Sequence, residues 1–139
     1  MSYFKIIKLN AIPSTNDYLK KKHKTGEVFD GELVWTENQT SGRGQRNKKW
    51  ISEPFTSLTF SIYKQFNHLL INPFKLNAVV CLAIINALEK LSIPELLIKW
   101  PNDILSENKK IGGILIENYF NKSKINASVI GVGINLNQE

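Results

Sequence analysis

From Glu95 onward the chain alternates short apolar runs with connectors too brief to carry a strand back across a sheet. Leu96-Leu97-Ile98-Lys99-Trp100 reads as a strand, stopped by Pro101-Asn102-Asp103. Ile104-Leu105 starts a short strand, Glu107-Asn108-Lys109 is a turn, and residues 110–117 run back as a longer strand. Residues 126–136 form a last strand, broken by Gly131 and Gly133. A parallel pair needs a crossover of about a dozen residues or more, whereas a hairpin needs only a turn, so most neighbouring strands here are antiparallel.

The first half adds strands and two helices. Residues 3–9 are rich in β-branched and aromatic side chains and predict a strand. Ser14, Thr15 or Asn16 can then cap a helix, with Asp17 in its first turn; four lysines follow (Lys20, Lys21, Lys22, Lys24) and Gly26 ends it. The simplest reading of those lysines is a solvated face. Residues 31–36 predict a second strand. Residues 56–63 alternate, with Leu58, Phe60 and Ile62 on one side and Thr59, Ser61 and Tyr63 on the other, which predicts a half-buried strand. Asn72-Pro73 opens the clearest helix, whose apolar stripe reads Leu76, Val80, Ala83, Ile84, Ala87, Leu88 and Leu91 and implies a core role only. Two helices and six or seven strands predict an α/β (α+β) domain: a mixed, largely antiparallel sheet with its helices on one face.

The 139 residues suit one domain with a modest core. A formal net charge of +6 is compatible with a nucleotide, a nucleic acid, an acidic protein or plain solubility. Cys81 is the single cysteine, which excludes an internal disulfide; its apolar surroundings predict a buried, inert thiol. There is no signal-peptide core and no run of the ~18 apolar residues a membrane span needs, so the cytoplasm is the default compartment.

Five polar clusters interrupt the strands and helices: Ser14-Thr15-Asn16; Gln39 with the basic stretch 42–50; Lys99-Trp100-Pro101-Asn102-Asp103; Lys110-Ile111-Gly112-Gly113; and Gly131-Val132-Gly133-Ile134-Asn135. The stretch Gly42-Arg43-Gly44-Gln45-Arg46-Asn47-Lys48-Lys49-Trp50 has no helical or strand period and reads as a loop able to bring backbone and cations to an anion. It is neither a Walker A sequence nor Gly-x-Gly-x-x-Gly, because Asn47 stands at the third glycine. Gly131 and Gly133 clear one face of their strand, and Asn135 follows on that face; a ligand floor and close helix–sheet packing both explain this. Lys110 is a turn lysine or an anion contact. Asp103 is a turn residue or a Mg²⁺ contact, since that ion takes only one or two carboxylates alongside phosphates. His23 and His68 stand alone in polar stretches and suggest neither metal site nor triad. No nucleophilic constellation stands out.

Taken together and in order, these clusters resemble the catalytic domain of biotin protein ligases, the biotin–[acetyl-CoA-carboxylase] ligases. The family's motifs are Ser-Thr-Asn, a Gln followed by Gly-Arg-Gly-Arg-Arg-Gly-Arg-x-Trp, Lys-Trp-Pro-Asn-Asp, Lys-Leu/Ile-x-Gly-Ile-Leu-x-Glu and Gly-x-Gly-Ile-Asn. The resemblance implies a fold like that of class II aminoacyl-tRNA synthetases, with biotin, ATP and Mg²⁺ as reactants. Biotin would be activated to biotinyl-5′-AMP and passed to a lysine of a biotin carboxyl carrier domain. It implies Ser14, Thr15, Asn16 and Gln39 for biotin, with Gly42, Arg43 and Gly44 wrapping the ligand. Arg43, Arg46 and Lys48 would face phosphate or adenylate, and Trp50 would lie near the adenine. Lys110 would contact the biotin carboxylate and α-phosphate, over Gly112 and Gly113. Lys99, Asn102 and Asn135 would serve the nucleotide, and Asp103 the Mg²⁺.

Three loop positions depart from the motif: Gln45 for arginine, Asn47 for glycine and Lys48 for arginine. Family members also continue beyond the last motif, so a domain shortened at its C-terminal end is expected. No N-terminal helix-turn-helix or other DNA-binding domain is read, and a homodimer is an arrangement the family uses. The alternatives are a lipoate or octanoate ligase or transferase of the same fold, a catalytically incomplete ligand-binding fragment, and a nucleic-acid-binding domain suggested by the charge.

Overall fold

The computed structural model describes residues 3–67 and 70–136. Seven strands form one sheet: β1 (Lys5–Ile12), β2 (Glu32–Gln39), β5 (Ser57–Gln65), β6 (Leu96–Lys99), β7 (Asp103–Ser106), β8 (Lys109–Asn121) and β9 (Lys124–Asn135). Their spatial order is β1-β2-β5-β9-β8-β7-β6. Every pair is antiparallel except β1–β2, which is parallel and joined through helix α1 (Thr15–Thr25), the crossover such a pair requires. The second helix, α2, spans Pro73–Glu89.

The local signals act as the sequence implies. Ser14 caps α1, accepting the Asp17 N–H at 3.2 Å, and Gly26 ends the helix at φ 76°, a left-handed conformation that glycine adopts without penalty. Asn72 caps α2 by accepting the Lys75 N–H at 2.8 Å. Glu107 and Asn108 both hold positive φ between β7 and β8, as a tight two-residue hairpin turn demands.

Three expectations are corrected. The helices lie on opposite faces of the sheet. Leu19 of α1 packs with Val34, Tyr63, Ala127 and Val129, while Cys81 and Leu88 of α2 pack with Ile104, Ile114, Val132 and Ile134. Val129 and Val132 have opposite parity on β9 and so point to opposite faces. The long β8–β9 hairpin is apolar on both faces and needs cover on both. Second, the stripe of α2 is rotated: Cys81 and Ile85 turn inward, whereas Ala83, Ala87 and Leu91 face solvent. Third, the 42–50 stretch is a small hairpin in its own right. β3 (Gly42–Arg43) pairs with β4 (Lys49–Trp50) around a 3-10 turn at Gln45–Asn47. Two-residue strands are too short to leave a period in the sequence.

Among the described residues, no helix is long and apolar enough to cross a membrane. Cys81 is fully buried, and that burial pushes its thiol above the ordinary range. His23 lies in an aromatic cluster, its Nδ1 2.8 Å from the Tyr63 hydroxyl and its ring stacked on Tyr119. His68 lies outside the described residues.

Candidate active site

A cavity of 330 Å³ opens on the α1 face of the sheet, between the start of α1, the β3–β4 hairpin and the turn before β7. All five sequence clusters reach it or its walls. Its buried polar part is built from the start of α1, the end of β2 and the middle of β5. Gln39 Oε1 accepts from the Thr15 N–H at 2.9 Å and lies 3.3 Å from its hydroxyl. Thr15 Oγ1 is 2.7 Å from Ser61 Oγ, and Ser61 donates to Asn16 Oδ1 at 2.5 Å. Asn16 Nδ2 donates to the Leu115 carbonyl at 3.2 Å and to Glu117 at 3.0 Å. Ser14, Thr15, Asn16, Gln39 and Ser61 are all buried, so this network is satisfied internally and stiff.

The glycines clear space for the protein's own side chains. A Cβ on Gly131 would lie 2.3 Å from Asn16 Oδ1, and one on Gly133 would lie 2.5 Å from the Trp50 ring. Gly113 also lies beneath that ring, where an added Cβ would meet it at 3.3 Å. The floor is therefore Trp50 resting on Gly113 and Gly133. Gly112 points to the other face, opposite Ile134 and against Ile104, and does not line the cavity. Adjacent strand residues face opposite ways, so only one of the two glycines can belong to the site. Gly42 also lies outside the lining; a Cβ there would sit 2.5 Å from both Gln39 Nε2 and the Trp50 carbonyl.

Lys110 reaches the cavity from the start of β8. Its Nζ is 3.0 Å from Asp103 Oδ1 and 5.7 Å from the centre of the Trp50 ring. Asn102 lines the cavity, but its amide donates to the Ile114 carbonyl at 2.8 Å and so braces the turn. Lys99 lines the rim with Arg46 and Lys48. Asn135 accepts from Ser57 at 3.1 Å and is not part of the lining.

Asp103 is a lone carboxylate already paired with Lys110, and no cluster of three His, Cys, Asp or Glu able to hold a metal occurs among the described residues. Such a donor set fits a Mg²⁺ carried in by a polyphosphate better than a resident ion.

Ser61 and Glu117 carry no assigned role in the sequence, and Asp17 only a place in the first turn of α1. Ser61 sits on the polar side of the alternating β5 pattern, which the fold buries more fully than the apolar side, so the alternation gave no signal for it. Glu117 accepts from Lys20 at 2.6 Å, Arg43 at 2.7 Å and Asn16 at 3.0 Å. Burial pushes the Glu117 carboxyl up, but these three hydrogen bonds outweigh it and hold the group below the usual carboxylate range. Lys20 is thus paired rather than solvated, and Lys22 likewise binds the buried Glu32.

Residues 9–135 match the sequence model of the biotin/lipoate A/B protein ligase family. The chain is 33% identical over 128 residues to the bifunctional ligase/repressor BirA of Escherichia coli, covering 92% of this chain and 39% of that protein. It superposes on the biotin acetyl coenzyme A carboxylase synthetase of Helicobacter pylori, solved with bound biotinylated ATP. The TM-score is 0.81 at 28% identity, over 98% of this chain and 63% of that one. It also superposes on the biotin protein ligase of Aquifex aeolicus in complex with biotin and ATP, with a TM-score of 0.78 at 33% identity over 97% of this chain and 53% of that one. The chain thus spans about two fifths of the curated relative's length. With five ordered motifs around one cavity and this shared fold, the chain belongs to the biotin/lipoate A/B protein ligase family.

Proposed function

We propose that this chain carries the activating site of a biotin–[biotin carboxyl carrier protein] ligase. The observation that carries the reading is the meeting of the Ser14–Gln39 network, the basic hairpin and Lys110 around a single cavity. The stiff network of Thr15, Asn16 and Gln39 suits a neutral ureido group, whose donors and acceptors need fixed partners. The rim cations suit a triphosphate. MgATP enters as a substrate, its ion meeting Asp103.

In the first step the biotin carboxylate attacks the α-phosphorus of ATP; a P–O bond forms and pyrophosphate leaves. Both reactants are anions and repel until cations intervene. Lys110, Arg46, Lys48 and Lys99 supply fixed positive charge where negative charge grows, with no reorganisation during the reaction. In the second step an acceptor lysine, as its free amine, attacks the biotinyl carbonyl; an amide forms and AMP leaves. Neither step needs a protein nucleophile. Excluding water above Trp50 protects the mixed anhydride between the steps. The acceptor is a carrier domain of a biotin-dependent carboxylase, in keeping with relatives such as the biotin–[acetyl-CoA-carboxylase] ligase of Mycobacterium tuberculosis.

Pyrophosphate release on mixing the chain with biotin and MgATP tests this reading. Release that depends on biotin and is not supported by lipoate or octanoate is expected. Equal release with lipoate would move the chain to the lipoate side of the family.

A further inference from the structure

Arg43 stands on the first strand of the hairpin, and its charge is already committed. Its Nη2 lies 2.6 Å from Asp17 Oδ1 and 2.7 Å from Glu117 Oε1, and its Nε lies 3.3 Å from Asp17 Oδ2. Asp17 therefore binds it with both oxygens, and Glu117 binds the same nitrogen from β8 of the main sheet. With Lys20 on the far side of Glu117, two cations face two anions and the group is neutral. Arg46, Lys48, Lys49 and Lys99 also line the cavity and form no ion pair among the described residues. The two kinds of cation are thus equipped for different tasks. A bidentate, partly shielded arginine pair fixes geometry, whereas unpaired cations offer net charge to an anion.

We propose that Asp17 and Glu117 are positioning residues that clamp Arg43 and hold the β3–β4 hairpin over the cavity before any ligand arrives, so that Arg43 closes the lid and the other cations meet the phosphate. The clamp ties together three of the elements that line the cavity: Asp17 is on α1, Glu117 on β8 and Arg43 on the hairpin. Glu117 also binds Asn16, so the same carboxylate touches both the deep polar network and the lid. The consequence for ligand retention rests on the biotinyl-adenylate reading of the cavity; the clamp itself does not.

The hairpin carries tryptic sites at Arg46, Lys48 and Lys49, which report its opening directly. Limited trypsin digestion of the ligand-free chain is compared with that of Asp17→Asn, together with the dissociation rate of biotinyl-5′-AMP. The clamp predicts hairpin cleavage about 3–10-fold faster in the variant, and dissociation faster by a similar factor, the range expected from losing a bidentate charged pair at a partly exposed site. Cleavage at the α1 lysines is expected to stay unchanged, and Asp17→Glu should restore protection. Unchanged hairpin cleavage with tighter biotinyl-5′-AMP binding would overturn the proposal, because Asp17 would then merely compete with the ligand for Arg43. A parallel rise at the α1 lysines would also overturn it, as general destabilisation. Glu117→Gln disturbs Asn16 and Lys20 as well, so the half-exposed Asp17 carries the test alone. If the wild-type chain bound no biotinyl-5′-AMP, the ligand assignment would fail while the cleavage ratio still judged the clamp.

Discussion

At residue 133 a single added carbon has a defined victim. An alanine Cβ would sit 2.5 Å from the Trp50 ring, which lies on backbone and has no room to sink. Gly133→Ala should lift Trp50 from the floor and cost about 1–3 kcal/mol, as overpacking does. A red shift in tryptophan emission and a lower urea midpoint would report it; unchanged emission would show that the ring does not rest there. Lys110 is the opposite kind of residue, half exposed and, among the described residues, ion-paired with Asp103 alone, so its removal should spare the fold and damage the chemistry. Lys110→Ala is expected to slow pyrophosphate release by about 10²–10³-fold, the scale on which fixed transition-state charge acts. A rate within about threefold of wild type, against that expectation, would remove Lys110 from the activating step. Asn47 holds φ 63°, a conformation glycine takes freely and asparagine tolerates, which explains how it can stand where the family motif has glycine.

At the level of elements, β5 shows how a polar pattern can hide a core. Thr59, Ser61 and Tyr63 face inward, and Ser61 joins Thr15 and Asn16 to the sheet. Ser61→Ala leaves two buried polar groups short of a partner and should destabilise the chain by about 1–3 kcal/mol, read by urea denaturation. It should also weaken biotin binding in calorimetry, because Thr15 and Asn16 lose their anchor. The hairpins from β6 to β9 were legible from connector length alone, and the helix caps from Ser14, Gly26 and Asn72. The phase of α2 was not, because apolar residues such as Phe74, Val79 and Leu82 surround it and blur the stripe. The β3–β4 hairpin was not, because its strands have no period. The Arg43–Asp17–Glu117 pairing joins residues 26 and 74 positions apart, which no local pattern encodes. Local chemistry therefore revealed which clusters mattered, and only the sheet order revealed which side chains within them meet.

For the whole molecule, acid is the informative stress. Burial raises the carboxyl of Asp30, but the Gln65 N–H, Tyr3 and Lys64 outweigh it and hold it below the ordinary 3.8; Glu117 is held below 4.5 in the same manner. A carboxylate whose pKa is depressed by folding stabilises the fold fully above its unfolded value and loses that contribution as pH falls through the folded one. Urea midpoints should therefore hold steady from neutral pH to about 5 and fall below the ordinary carboxylate range, with hairpin protection falling alongside. A midpoint that rises on acidification would contradict the clamp and the Asp30 anchor together.

The most direct test of the account is calorimetric titration of this chain with biotin and then with biotinyl-5′-AMP. One site is expected for each. The adenylate should bind about tenfold or more tightly than biotin, since even one charge-assisted hydrogen bond to phosphate is worth ~1.5–3 kcal/mol. That advantage should shrink in Lys110→Ala. Absence of binding by both ligands, or an adenylate no tighter than biotin, would contradict it.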